Sequence, residues 1–154
     1  MTAVLVAGIG NIFFRDDGFG PEVVRRLADE VTDDVRVVDY GIRGMHLAYD
    51  LLDGVGTLVL VDTVPGPGDP GTISVREVGA EDLGESPMDA HGMSPVAVLA
   101  NLDTLGGRLP PTFVVGCVPE DLREGMGLSG CVSSVLDEAV ATVRGLVADR
   151  KAVV

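Results

Sequence analysis

Thr57-Leu58-Val59-Leu60-Val61-Asp62 is an unbroken apolar run closed by a carboxylate. A strand with one face in water alternates apolar and polar residues. A run that is apolar at every position therefore predicts a central strand of a parallel sheet, buried on both faces. Working outward, Val4 to Gly8 and Val35 to Asp39 read as two earlier strands and Thr112 to Val118 as the last one. Pro21 stands where a helix would begin, and Val23, Val24, Leu27 and Val31 recur at helical spacing, which predicts a helix over 20–31. Met45, Leu47, Ala48, Leu51 and Leu52 place a second helix over 44–52. Ser94-Pro95 supplies an N-cap and first-turn proline for a helix over 96–105, after an irregular polar stretch at 80–93. Val132, Val135, Leu136, Ala139, Val143 and Leu146 form the core stripe of a final helix that starts at Ser129 or Cys131 and ends at Val147. Strands alternating with helices describe an α/β chain built on a mostly parallel sheet. One segment departs from that order. Residues 72–78 follow the third strand across a loop at 63–71 holding Pro65, Pro67 and Pro70, with no helix between. That predicts an antiparallel edge strand, on which Arg76 and Glu77 discourage edge-to-edge pairing.

The 154 residues suit one domain with a core of its own, and 46% of them are hydrophobic, with no Trp, two Tyr and four Phe. The formal charge of -13, from 24 acidic and 11 basic residues, repels a phosphate backbone, so nucleic acid is excluded as a partner. Met1-Thr2-Ala3-Val4-Leu5-Val6-Ala7-Gly8 lacks a basic n-region and reads as a strand and not a signal peptide. No apolar run approaches membrane-spanning length. The expectation is a cytoplasmic protein with no membrane partner. Cys117 and Cys131 are too few and too isolated for a disulfide framework or a thiolate zinc site, and are expected as reduced thiols.

In open α/β sheets the ligand site lies on the loops that follow the carboxyl ends of the strands. Residues 8–20, 39–44, Asp62 and 117–120 occupy such loops, and His91 joins them if the following helix packs at the same edge. A carboxylate closing a buried strand, as Asp62 does, must be solvated, paired or metal-bound, or must cap a neighbouring turn. Asp16 and Asp17 precede a helix N-terminus, where capping alone accounts for negative charge. His46 reads as a surface position on the second helix. Two carboxylates and an imidazole together form a partial shell for a divalent transition metal and leave positions open, without choosing between nickel, zinc and others. A competing use of the first loop is dinucleotide binding through Gly8, Gly10 and Asp39. There, however, Phe13 stands where the fingerprint needs its third glycine, and two acids would sit near a pyrophosphate. Neither a Gly-x-Ser-x-Gly elbow nor a His-Glu-x-x-His helix is present. Cys117 is the remaining nucleophile candidate, in a strand-like run where a thiol packs as a small hydrophobe.

Gly8-Ile9-Gly10-Asn11, Asp16-Asp17-Gly18-Phe19-Gly20, Val61-Asp62, His91, Gly116-Cys117-Val118-Pro119-Glu120 and Gly127-Leu128-Ser129, in that order, closely resemble the hydrogenase maturation proteases. The resemblance spans about the first 140 residues. Members of that family are endopeptidases that remove a C-terminal extension from the precursor of the nickel-iron hydrogenase large subunit after nickel insertion. The resemblance implies a three-layer sandwich: a twisted, mostly parallel five-stranded sheet with helices on both faces. It also implies a metal-recognition site at Asp17, Asp62 and His91, because the second acid of the pair is the family's ligand, with Asp16 a neighbour. Nickel would then be presented by the substrate, although another divalent metal can occupy the isolated site. The family's Gly-Gly-Thr step is replaced within Asp39-Tyr40-Gly41-Ile42-Arg43-Gly44, where Arg43 is expected to contact an acidic group of the precursor. A nickel-checkpoint protein that binds the precursor without cutting it is the non-enzymatic alternative.

Overall fold

The computed structural model describes residues 2–79, 99, 102 and 106–152. Five strands, β1 (Thr2–Ile9), β2 (Val35–Gly41), β3 (Val55–Thr63), β4 (Ile73–Val78) and β5 (Thr112–Cys117), form one sheet in the order β2-β1-β3-β5-β4. Every pairing is parallel except that of β4 with β5, so β4 is the antiparallel edge expected from the missing crossover helix. The apolar run of β3 lies between β1 and β5, with Val61 opposite Gly8 on one side and Val115 on the other.

Because successive side chains of a strand point to opposite faces, that run divides between two cores. Val59 and Val61, with Val4 and Val6 of β1, face helices α1 (Phe19–Arg26) and α4 (Leu136–Ala152) through Phe19, Val23, Leu136, Ala139 and Val143. Leu58 and Leu60, with Leu5 and Ala7, face helix α2 (Gly44–Leu52) through Leu47, Ala48 and Leu51. Each fully buried Val or Leu is worth roughly 1.5–3 kcal/mol of transfer free energy, and the division produces three layers. Of the helix expected over 96–105, only Leu99 and Leu102 fall among the described residues, and both are buried in the leucine-lined core.

Two helices differ from the spacing. Helix α1 ends at Arg26 and passes through a 3-10 turn, Ala28–Glu30, so Val31 leaves the apolar stripe and is 51% exposed. The final helix is divided into α3 (Gly130–Ser133) and α4, which runs on to Ala152. At the break the Ser134 hydroxyl donates to the Cys131 carbonyl at 2.9 Å, and the Val135 N–H reaches back only to Val132, giving a tighter turn.

Candidate active site

The carboxyl ends of β1, β3 and β5 converge on the segment 10–18. Close backbone approach brings it there. A Cβ on Gly10, whose φ is +142°, would lie 1.8 Å from the Asp17 carbonyl oxygen. A Cβ on Gly20 would lie 2.2 Å from the Val61 carbonyl oxygen and 2.4 Å from that of Ile9. Only glycine lets α1 start flush against β1 and β3. A Cβ on Gly8 would lie 2.7 Å from the Gly20 carbonyl oxygen, so packing accounts for both Gly8 and Gly10, and Asp39 accepts from the Gly41 N–H at 2.9 Å as a turn cap.

Between β1 and α1, Arg15–Gly18 forms a single 3-10 turn. Asp17 lies on it, half-buried, with Oδ2 accepting the Asn11 N–H at 2.8 Å and Oδ1 accepting the Thr63 hydroxyl at 3.3 Å. Asp62, also half-buried, accepts the Thr63 N–H at 2.7 Å. Thr63 therefore holds both carboxylates, one through its side chain and one through its main chain. Packing around the Asp62 carboxyl, reinforced by the Asp17 charge and opposed by the Thr63 N–H, pushes its pKa up to about 8. Among the described residues neither carboxylate has an arginine or lysine ion-pair partner. Such a pair of acids attracts a cation, whose charge relieves both the burial penalty and the mutual repulsion. His91, the third expected member, lies outside the described residues.

Asp16 turns the other way. It is fully buried, and its carboxylate accepts the N–H groups of Glu120 and Asp121 at 2.9 Å each, and the N–H and hydroxyl of Ser129 at 2.7 and 2.8 Å. Burial works against ionisation, but these donors outweigh it and hold the carboxyl below its ordinary pKa. With its oxygens so occupied, Asp16 serves the scaffold. Ser129, Asn11 and Thr63 were not singled out individually from the sequence; adjacency to Asp62 was the one signal available for Thr63.

Among the described residues, Arg43 presents its guanidinium to no carboxylate. It donates to the main-chain carbonyls of Asp39 at 2.7 Å and Tyr40 at 3.2 Å, closing the end of β2. His46 is exposed on α2, as its position suggested. Cys117 is buried in β5, and burial, with a smaller contribution from the Asp16 charge, raises its thiol to about 11, which rules out a standing thiolate nucleophile near neutral pH. Cys131 is a second free thiol and donates to Glu120 at 3.1 Å. Ile12, Phe13, Phe14, Leu122 and Met126 stand exposed on the two loops beside the carboxylates, with Phe13 59% and Met126 62% open. Those loops are joined by a bridge between Phe14 and Gly125.

No helix among the described residues is long and apolar enough to cross a membrane. A family model described as hydrogenase maturation protease matches residues 21–145. A putative hydrogenase maturation protease of Methanocaldococcus jannaschii is 31% identical over 150 residues, covering 92% of this chain and 94% of the relative. The hydrogenase-maturating endopeptidase HybD of Escherichia coli superposes with a TM-score of 0.83 at 25% identity, covering 96% of this chain and 93% of that one. A hydrogenase 2 maturation peptidase from a Thaumarchaeota archaeon superposes with a TM-score of 0.74 at 32% identity, covering 96% and 99%. With most of the chain inside the matched span and the same fold in those endopeptidases, this chain belongs to the hydrogenase maturation protease family.

Proposed function

We propose that this protein removes the C-terminal extension from the nickel-loaded precursor of a nickel-iron hydrogenase large subunit, and that Asp17, Asp62 and His91 recognise the nickel carried by that precursor. The observation that carries the reading is the interacting pair Asp17 and Asp62, bridged by Thr63 and without a cationic partner among the described residues. A pair of this kind donates two oxygens to a cation and leaves the rest of the coordination sphere to the substrate that brings it. Metal bound there would polarise the scissile carbonyl or activate a water. The chain's own residues do the rest: Thr63 and Asn11 orient the carboxylates, and Asp62, whose proton is held up to about pH 8, would release it to solvent on taking up the cation.

A protein substrate suits the surroundings. Large apolar side chains exposed on loops that main-chain bonds hold in place are characteristic of macromolecular contact surfaces. The work is assigned to the cytoplasm, on the expectation drawn from the sequence. An imidazole must be neutral to ligate, so protonation of His91 would add to the loss of processing in acid.

The decisive experiment incubates purified Asp62→Ala and His91→Ala variants with nickel-loaded precursor and follows loss of the C-terminal peptide by mass spectrometry. Processing is expected from the parent protein and not from either variant. Full processing by folded variants refutes the assignment of the site. Binding of the loaded precursor by the parent without any peptide release identifies the non-enzymatic checkpoint instead.

A further inference from the structure

Asp16 is buried to 0% exposure, yet it stands directly beside the half-buried Asp17. In a 3-10 turn successive side chains diverge by roughly 120°. Once Asp16 is turned into the protein, the direction of Asp17 follows from the turn. Main-chain bonds fix the turn from the same side. The Asp16 N–H donates to the Asp121 carbonyl at 3.0 Å, the Arg15 N–H to that of Gly125 at 2.9 Å, and the Gly125 N–H to that of Phe13 at 2.8 Å. Arg15 itself sits at φ +47°, a left-handed conformation unfavourable for arginine that persists only where the surroundings over-determine it.

We propose that Asp16 is a positioning residue for the active site: by binding the Glu120, Asp121 and Ser129 main-chain N–H groups and the Ser129 hydroxyl, it locks the 15–18 turn so that Asp17 faces Thr63 and Asp62. The reasoning needs a carboxylate specifically. Ser129 N–H addresses Oδ1, while Glu120 N–H, Asp121 N–H and the Ser129 hydroxyl address Oδ2, so all donors point inward and both oxygens must accept. An asparagine would turn an NH2 group toward at least one donor. The loop after β5 is thereby coupled to the metal-facing carboxylate, which gives Ser129, remote from Asp62 in sequence, a part in the site through Asp16.

The catalytic half of this inference rests on the function proposed above; the geometric half does not. The Asn11 N–H, bonded to Asp17 Oδ2 at 2.8 Å, reports the direction of Asp17 without any substrate. In the full-length Asp16→Asn variant, held well below its melting temperature, the Asn11 amide is expected to exchange its hydrogen roughly tenfold faster, the scale of one lost hydrogen bond to a charged group. Amides at Val59 and Val115 act as controls for global opening and should keep their protection. On nickel-loaded precursor the same variant is expected to lose roughly tenfold in kcat/KM. Ser129→Ala, which removes one donor and leaves the buried carboxylate in place, covers the case in which Asp16→Asn fails to fold. It is expected to move both readouts in the same direction by roughly two- to threefold. Unchanged Asn11 exchange in either folded variant overturns the proposal, as does undiminished processing when exchange has changed. A parent protein that processes no precursor refutes the functional reading, and the exchange experiment alone then decides the geometric assignment of Asp16.

Discussion

In the protein without metal, Asp62 is expected to keep its proton until about pH 8. Burial is the larger cause and the Asp17 charge the second, so Asp17→Asn should lower the midpoint of Asp62 without returning it to the ordinary 3.8. The sign of the stability effect follows. The folded state binds this proton more tightly than the unfolded chain, so the contribution is complete below about pH 4 and is lost as pH rises through about 8. Across the interval the slope approaches 1.4 kcal/mol per pH unit as an upper limit, and partial exposure of Asp62 reduces it. Asp16 and Glu22, whose pKa values are lowered, act in the opposite sense and at lower pH. Between pH 6 and 8.5 Asp62 can therefore be observed with little interference from them. Carboxyl carbon shifts of aspartate-labelled protein measure the midpoint directly, and urea unfolding at pH 6 and 8.5 measures the stability change. Cation binding must displace the proton. Apparent affinity for added Ni2+ should then fall about tenfold for each pH unit below 8. A midpoint below 5, a midpoint unmoved by Asp17→Asn, or nickel affinity flat from pH 6 to 8 would refute the argument.

Gly20→Ala places a methyl group against two backbone carbonyls that cannot swing aside, at 2.2 and 2.4 Å. The expected cost is roughly 3 kcal/mol, read as a fall in melting temperature of roughly 6–12 °C for a chain of this size; a shift under about 2 °C in a circular dichroism melt would contradict the packing described. Thr63→Val removes the hydroxyl bonded to Asp17 at 3.3 Å and keeps the N–H that holds Asp62. It should lower kcat/KM on the loaded precursor roughly fivefold, since the bond is long, with little change in melting. Thr63→Ser should restore most of the loss, and equal activity in all three proteins would remove Thr63 from the site.

The centre of the sheet was legible because a strand buried on both faces has to be apolar along its buried length, and 58–61 is. The edge strand was legible for a different reason: a parallel partner needs a crossover, and 63–71 holds prolines and glycines instead. Helix ends were less legible. Val31 continues the apolar spacing but sits beyond the point where the chain leaves α1, and the break between α3 and α4 depends on a hydroxyl back-bond that apolar periodicity does not register.

The pair Asp16 and Asp17 marks the physical limit of reading residues locally. Both are carboxylates in one turn, with the same neighbours and the same favourable helix end. What separates them is the position of four donors on Glu120, Asp121 and Ser129, 104 to 113 residues away in the chain. Local propensity carries no trace of those donors, because the loops meet only after β1, β3 and β5 have paired. Comparison with a family can select Asp17, but it cannot say why Asp16 should also be acidic. The folded geometry does: a buried acid with enough donors stays ionised and rigid, whereas its neighbour, with Thr63 and Asn11 as partners, remains beside a second carboxylate where a cation is favoured. The same residue type is thus used twice in succession, and the number of hydrogen-bond donors each receives separates scaffold from site.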